Sequence, residues 1–188
     1  MKKAFPIALM IVGLVFLAAG GYTIKRGWDA KDQVKSELVA QNIVTPDDAR
    51  VPGVQVNSAS SAKVMADIIN HHALEATGGL TYSEMGRFAN KEGTPKGTDD
   101  AKAAVLDATG KPVANNLRNT ALTAANLRTS LYSSIMAFNV ADLVMGLGLM
   151  IIVLGFATAG LGVALGALSI PRLGYKLHVE PLVAEHTV

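Results

Sequence analysis

Two long uncharged apolar runs constrain the fold of this chain more than any other feature. The first, Ala4 to Ile24, holds 21 residues without a charge. As a helix it reaches roughly 31 Å, which is close to the hydrocarbon thickness of a bilayer. The second, Leu143 to Leu168, holds 26 uncharged residues. Its helical length of about 39 Å suits one tilted span. The sequence therefore predicts two transmembrane helices.

The first run has a cleaved signal peptide as its alternative interpretation. The apolar part of a signal peptide usually has about 7–15 residues, fewer than this run. A lipoprotein signal needs a cysteine, and the chain has none. A small-residue cleavage site around Ala18, Ala19 and Gly20 remains open. We favour the interpretation that residues 1–24 form a retained signal anchor.

The second run lies in a longer stretch between Arg128 and Arg172 whose only charge is Asp142. A helical hairpin turning near residues 160–162 would place that aspartate close to the bilayer centre, at a cost of about 2.5–3.5 kcal/mol. A single span that begins after Asp142 avoids this cost and leaves Asn139 and Asp142 at the outer interface. We therefore favour two spans over three. A proton-transfer role for Asp142, or a pairing with a partner's cation, stays open.

Residues before the second run also follow a helical pattern. The apolar positions that recur on one face are Leu117, Leu127, Leu131, Ile135 and Phe138. The pattern predicts a long helix that begins near Asn116 and continues into the membrane, so that residues 129–170 form an interfacial helix and the second span. The expected fold is an all-α membrane protein with a small, mostly helical domain between its two transmembrane helices.

A short basic start before an apolar run is typical of export. We therefore expect a plasma-membrane protein with both termini in the cytoplasm, residues 25–128 outside it, and residues 171–188 as a cytoplasmic tail. Within the outer region the pattern predicts helices over Asp29–Gln41 and Ser60–Ala76. It also predicts turns at residues 45–53 and 106–113 and a polar loop at residues 90–100.

Composition excludes several classes of chemistry. The absence of cysteine removes disulfide scaffolds, thiolate zinc sites, iron–sulfur clusters and cysteine nucleophiles. A net charge of +2 without a basic stripe argues against nucleic-acid binding. No phosphate loop, G-x-S-x-G elbow or H-E-x-x-H motif is present. We expect no catalytic residue and no cofactor in this chain.

One helix carries residues of metal-ligand type. Asp67, His71 and Glu75 recur at i,i+4, so their side chains share a face. His72 projects about 100° away from His71 on a helix and does not suit the same ion. The simpler interpretation is that Asp67 and Glu75 flank His71 as solvated charges while His72 packs inward. We favour that interpretation and assign no metal ligand.

The second span carries a stripe of small residues. Its members are Gly148, Gly155, Ala159, Gly162 and Gly166, at spacings of 7, 4, 3 and 4 that keep them on one face. Association of helices in lipid needs close backbone approach, which glycine permits. Glycine is also simply common in membrane helices. We predict a helix-packing face, part of which serves the first helix through Gly13, Gly20 and Gly21.

Two motifs resemble a family of small actinobacterial two-span membrane proteins, whose members are often labelled aromatic ring-opening dioxygenases. One runs from His72 through Glu75, Gly78 and Gly79 to Thr81-Tyr82, and the other is Leu127-Arg128-Thr129-Ser130-Leu131. The second span, the mass of 19.6 kDa and the exported middle region also resemble an accessory subunit of a cytochrome bcc–aa3 type respiratory supercomplex. That resemblance implies a non-catalytic subunit that packs beside integral membrane subunits of the assembly. Those partners would hold the haem and copper, and lipids would surround the assembly.

Two other functions stay open on the sequence. One is an independent envelope protein whose outer region senses a signal or handles lipid, with the loop at residues 90–100 as its mobile part. The other is a metal-dependent enzyme that uses His71 and Glu75. Neither has a motif of its own in the chain.

Overall fold

The computed structural model describes residues 4–168, and helices make up 67% of them with no strand in that range. The α-helices are α1 (Ala4–Ala40), α2 (Ala59–Ala76) and α3 (Asn116–Leu168), and a short 3-10 helix covers Tyr82–Glu84. The predicted all-α class is confirmed. Helices α1 and α3 are long and apolar enough to cross a membrane by length and composition, each with a mean hydropathy of 2.3 in its best window. The predicted tail at residues 171–188 lies outside the described residues.

Helix α1 does not end with the apolar run. It continues for 37 residues, so the predicted span and the predicted charged helix from Asp29 are one element. No proline or helix-ending signal separates Ile24 from Asp29, and the charge boundary there changes the helix surface without changing its backbone. The helix ends where Asn42 adopts a left-handed φ of 51°.

Helix α3 begins at Asn116, as predicted, and runs for 53 residues without interruption. The side-chain oxygen of Asn115 accepts a hydrogen bond from the backbone N–H of Leu117 at 3.2 Å, which helps to start the helix. The hairpin alternative is wrong, because Gly160 and Gly162 are both inside the helix.

The chain divides into two compact units. The described part of one unit is residues 4–21 and 150–168, where the ends of α1 and α3 pack on each other. The other unit is Tyr22–Leu149, which contains all of the predicted outer region 25–128. Its main core cluster draws on all three helices and consists of Leu38, Val56, Ala62, Ala66, Leu131 and Phe138.

Helix α2 has clear signals at both ends. Ser58 and Ser61 form a capping box at its start. At its end Gly78 and Gly79 have left-handed φ angles of 63° and 84°, and the N–H of Gly79 bonds the Leu74 carbonyl at 2.7 Å. This turn directs the chain back toward α3.

The segment between α2 and α3 has the loop predicted at residues 90–100 and the turn predicted at residues 106–113, so the region between the long helices is less helical than the expected mostly helical domain. Apart from the 3-10 helix, residues 77–115 form turns joined by isolated backbone bridges, such as Phe88 to Thr98 and Leu106 to Pro112. The buried amide of Asn115 donates to the carbonyls of Gly86 and Pro95, both at 3.1 Å, and holds two of these turns together. Glycine, proline and aspartate favour turns over helix here.

Candidate functional site

Buried positions recur every seven residues on the two long helices. They are Pro6, Gly13, Gly20 and Gly27 on α1, and Ala141, Gly148, Gly155 and Gly162 on α3. A spacing of seven keeps residues on one side of a helix, so each helix has a narrow face of small residues. This is the face on which the sequence places the packing stripe.

Backbone contact between α1 and α3 shows what this face does. A Cβ atom added at Gly13 would lie 2.6 Å from the Ala159 Cβ. One added at Gly155 would lie 2.9 Å from the Gly13 carbonyl oxygen, and one at Gly162 would lie 2.8 Å from the Pro6 carbonyl oxygen. The predicted stripe is therefore a helix-packing face that α1 of the same chain covers.

The remaining small residues differ in how closely they approach the facing helix. Gly148 is buried on α3, and a Cβ at Gly166 would approach the Pro6 Cβ to only 3.8 Å. The prediction for Gly21 is wrong, since a Cβ there meets nothing within 4 Å. The sequence analysis missed Gly27, where a Cβ would lie 3.0 Å from the Ala141 carbonyl oxygen. The seven-residue step from Gly13 and Gly20 was the signal that could have found it.

Asp142 has a cation partner in its own chain. Its Oδ1 atom lies 2.7 Å from Nζ of Lys31, and both side chains are about half-exposed. The pair links α1 to α3 inside the unit Tyr22–Leu149. Asn139, the other predicted interfacial polar residue, is exposed on α3. Asp142 therefore has its charge balanced without a cation from another protein.

Helix α3 exposes an apolar stripe beside charged residues of α1. This outer stripe consists of Tyr132, Met136, Val140 and Leu143, which are 40–63% exposed. The contacts of Gly27 with Ala141 and of Lys31 with Asp142 set α1 at the same level. At that level the charged residues of α1 are Lys25, Arg26, Asp29, Lys31, Asp32, Lys35 and Glu37. At the level of this stripe α1 is therefore charged, whereas the outer stripe of α3 is apolar.

The histidine of the first family motif is exposed, so the prediction that His72 packs inward is wrong. Its Nε2 lies 2.6 Å from Oδ2 of Asp48, and this bond draws the ring to the surface. The same hydrogen bond lowers the pKa of Asp48. Glu75, one turn further along α2, is also exposed.

The rest of that motif builds a turn. The carboxylate of Glu84 accepts hydrogen bonds from the Thr81 hydroxyl at 2.6 Å and the Thr81 N–H at 2.7 Å, which lowers the pKa of Glu84. These bonds form a capping box, which starts the 3-10 helix. Together with Gly78 and Gly79 it positions Tyr82 against α3.

The structure brings the two family motifs into one pocket of about 240 Å³, which we call the motif pocket. It is lined by Asn70, Ala73, Leu74, Leu80, Thr81, Tyr82, Ser83, Ala121, Ala124, Ala125 and Arg128. Arg118, which the sequence analysis did not single out, lies with its guanidinium carbon 3.9 Å from the centre of the Tyr82 ring. The buried Nε atoms of Arg118 and Arg128 have no hydrogen-bond partner within the described part of the chain.

The candidate metal ligands do not converge. Asp67 bonds Lys63 at 2.7 Å, which raises the pKa of Lys63, and His72 bonds Asp48. Within residues 4–168 no group of three or more histidine, aspartate or glutamate side chains is placed to hold a metal ion. The i,i+4 spacing of His71 and Glu75 thus gains no further ligand from the fold.

A second, larger groove opens on the core cluster. It has a volume of about 710 Å³ and runs between α1, α2 and α3 past Val34, Leu38, Met65 and Leu131. The hydroxyls of Ser130, Ser133 and Ser134, which also line it, donate to carbonyls of their own helix at 2.9–3.2 Å. Gln33, Glu37 and Gln41 of α1 also line it, so this apolar groove is mostly apolar with polar side chains contributed by α1.

Comparisons with protein-family models, with curated proteins and with solved structures found no match to this chain. The family resemblance noted above therefore depends on the two motifs at residues 72–82 and 127–131.

Proposed function

We propose that this chain is a non-catalytic accessory subunit that packs against and stabilises a plasma-membrane respiratory supercomplex of the cytochrome bcc–aa3 type. The observation that carries the docking role is the outer stripe of α3. The respiratory assignment comes from the resemblance of the second span, the 19.6-kDa mass and the predicted outer region to an accessory subunit of such an assembly. In this proposal the partner subunits hold the haem and copper, both termini are cytoplasmic, and residues 25–128 face outward.

Lipid hydrocarbon is unfavourable as the environment of the outer stripe. If hydrocarbon reached Met136 and Val140, the same depth would immerse Lys31, Asp32 and Lys35 of α1. A charge at the centre of a membrane helix costs about 2.5–3.5 kcal/mol, so several charges together oppose that placement. Water is a poor cover too, because a contiguous exposed apolar surface usually marks an interaction site. An apolar helix of a partner that extends past the bilayer surface satisfies both conditions.

The glycine face supports the same proposal in a different way. The small residues of α1 and α3 pack against each other, so this face is already covered within the chain. In this proposal a partner therefore contacts the exposed side of α3. This assigns the packing stripe to the chain's own stability and the outer stripe to association.

Co-purification tests the proposal. Met136→Glu with Val140→Glu places two charges on the outer stripe, and Val51→Glu changes an exposed valine in a distant loop as the matched control. We expect the double variant to lose at least about tenfold of the respiratory subunits recovered with the tagged chain, in line with the cost of burying unpaired charges. The control should recover them as the wild type does.

Three results would contradict the proposal. If the wild-type chain, mildly solubilised from native membranes, carries no respiratory subunits, the respiratory assignment is wrong. If both variants recover the partners equally, the outer stripe is not the docking face. A deletion strain with normal supercomplex yield and respiration would remove the stabilising role.

The apolar groove favours a second candidate, an envelope protein that handles lipid. A volume of about 710 Å³ lies inside the range of about 300–1,000 Å³ that small-molecule sites occupy. This candidate predicts that native mass spectrometry finds a lipid bound to the isolated chain, and that Leu127→Trp, in the wall of the groove, removes it. Absence of bound lipid from the wild type would reject it.

A further inference from the structure

We propose that the motif pocket binds a carboxylate side chain from an extramembrane segment of a partner protein, with Arg128 as its anchor. This inference depends on the proposed docking function only for the existence of a partner. The pocket lies in the unit Tyr22–Leu149, between α2, the turn at Leu80–Ser83 and the first third of α3.

The charge of Arg128 is not balanced within the described chain. Its buried Nε has no hydrogen-bond partner there, and none of the five salt bridges found among residues 4–168 includes it. A buried donor without an acceptor is unfavourable, so an acceptor that reaches the guanidinium is stabilised there. A guanidinium presents parallel N–H groups that match the two oxygens of a carboxylate.

Nearby acids are already engaged elsewhere. Glu84 accepts from Thr81, and Asp99 accepts from Arg87 at 3.1 Å. Each is held by its own turn and is not free to turn toward Arg128. Since no acid among residues 4–168 forms a salt bridge with Arg128, the acid that we propose for it comes from outside this part of the chain.

The pocket has the size and composition for one side chain. At about 240 Å³ it is smaller than the usual range of small-molecule sites, about 300–1,000 Å³. Its floor consists of Ala121, Ala124 and Ala125, whose small side chains leave the space open. Tyr82 forms a wall that Arg118 holds by stacking on the ring. Tyrosine and arginine are the residue types that most often dominate binding at protein interfaces.

Position along α3 favours a protein carboxylate over a lipid phosphate. Arg128 precedes Leu143 by fifteen residues. That separation is about 22 Å along a helix, whereas headgroups extend only about 5–8 Å beyond the hydrocarbon edge. With the second span beginning near Leu143, headgroup phosphates are out of reach of Arg128, and an acidic residue on an outer loop of a partner is within reach.

Site-specific crosslinking in native membranes tests the inference. A photoreactive benzoylphenylalanine replaces Ser83, which lines the pocket, in the full-length chain, and mass spectrometry identifies the crosslinked peptide. We expect a partner peptide that contains aspartate or glutamate. Arg128→Glu should then reduce recovery of that partner at least about tenfold, and changing the partner's acidic residue to arginine should restore it.

Controls separate a local fold defect from lost recognition. Arg50→Glu makes the same charge change in the exposed loop before α2 and should recover the partner as the wild type does. If Arg128→Glu melts below the wild type, Arg128→Gln and Ser83→Trp are used instead. The first removes the guanidinium without introducing a negative charge, and the second fills the pocket. Both should still lose the partner.

Different results would overturn the pocket inference and the proposed function. A crosslink to lipid, a crosslinked peptide without an acidic residue, or failure of the charge exchange to restore binding overturns the pocket inference. Charge-exchange rescue with a partner that is not a respiratory subunit upholds the pocket and overturns the respiratory assignment. Normal partner recovery by every Arg128 and Ser83 variant, with loss in the outer-stripe variant, overturns the pocket alone.

Discussion

Glycine serves two different purposes in this molecule. In α1 and α3 it occupies ordinary helical backbone and matters for what it lacks, because Gly13, Gly155 and Gly162 leave room for the facing helix. In the turns it matters for its conformation. Gly97 has a φ of 62°, and a Cβ there would also lie 2.5 Å from the Asn115 amide nitrogen. A side chain is not tolerated at either kind of position. In the helices it would clash with the facing helix, and at Gly97 the left-handed backbone would strain it.

Gly13→Ala should destabilise the helix pair, because the new methyl group would meet Ala159 at 2.6 Å. Overpacking of this kind typically costs about 1–3 kcal/mol. The matched control is Gly160→Ala, where a Cβ meets nothing within 4 Å and the change should be within about 0.5 kcal/mol. Thermal unfolding of both variants in one detergent measures the difference, and equal melting temperatures would show that the two helices do not need this contact.

The small-residue face was predictable from sequence, but its partner was not. The seven-residue spacing from Gly148 to Gly155 identifies a face without saying which helix covers it. Gly20 and Gly21 are equivalent by composition, yet only Gly20 is buried, because adjacent residues on a helix point about 100° apart. Resolving that choice needs the register of α1 on α3, which is a property of both helices together.

Helix limits follow local signals closely where those signals exist. The start of α3 at Asn116 follows the predicted apolar periodicity, and the end of α2 before Gly78 follows its glycines. The predicted helix Asp29–Gln41 ends within one residue of the end of α1, but its continuity with the first span was not predicted, because an uncharged run marks where a membrane could lie and not where a helix stops. The backbone bridges of residues 77–115 were also missed, since each joins residues whose pairing depends on the surrounding turns.

Ser58→Ala should weaken α2 from its first turn. The Ser58 hydroxyl accepts from the N–H of Ser61 at 3.2 Å, and loss of such a cap typically costs about 0.5–2 kcal/mol. Since α2 contributes Ala62 and Ala66 to the core cluster, the loss should appear in global unfolding. Ser60→Ala is the control because its hydroxyl only reaches that of Ser58. Urea unfolding should rank Ser58→Ala below Ser60→Ala, and the reverse order would contradict the capping role.

The Lys31–Asp142 pair should contribute little to stability. Its side chains are 42% and 53% exposed, and exposed ion pairs contribute about 0–1 kcal/mol. A double-mutant cycle with Lys31→Ala and Asp142→Ala should therefore give a coupling energy of less than about 1 kcal/mol. A larger coupling would mean that the pair lies in a less polar environment than its exposure indicates.

The motif pocket could not be predicted from the sequence. Leu74, Tyr82 and Arg128 come together only because the turn after α2 returns the chain to α3. Each motif has a local role of its own, in capping or in helix continuity, and neither shows that the other is adjacent. A pocket between distant segments depends on that return path, which single-sequence patterns do not encode.

Four carboxylates in the Tyr22–Leu149 unit couple its stability to pH. Hydrogen bonds lower the pKa of Asp48 through His72, of Glu84 through Thr81, of Asp99 through Arg87 and of Asp107 through the Lys111 N–H. Their unfolded values are near 3.8 for aspartate and 4.5 for glutamate. Because each folded pKa is lower, the unfolded chain binds these protons more tightly.

The free energy of unfolding should therefore keep this contribution above about pH 5 and lose it as the pH falls through 4 and below. Urea unfolding at pH 7, 5, 4 and 3, in a detergent whose charge does not change, measures the profile. Glu84→Gln keeps the size of the side chain and removes its titration, so its profile should fall less steeply between pH 5 and pH 4 than that of the wild type. Glu92→Gln, on the exposed loop, is the control. A wild-type profile that stays level or rises toward pH 3 would show that these hydrogen bonds do not hold the folded turns.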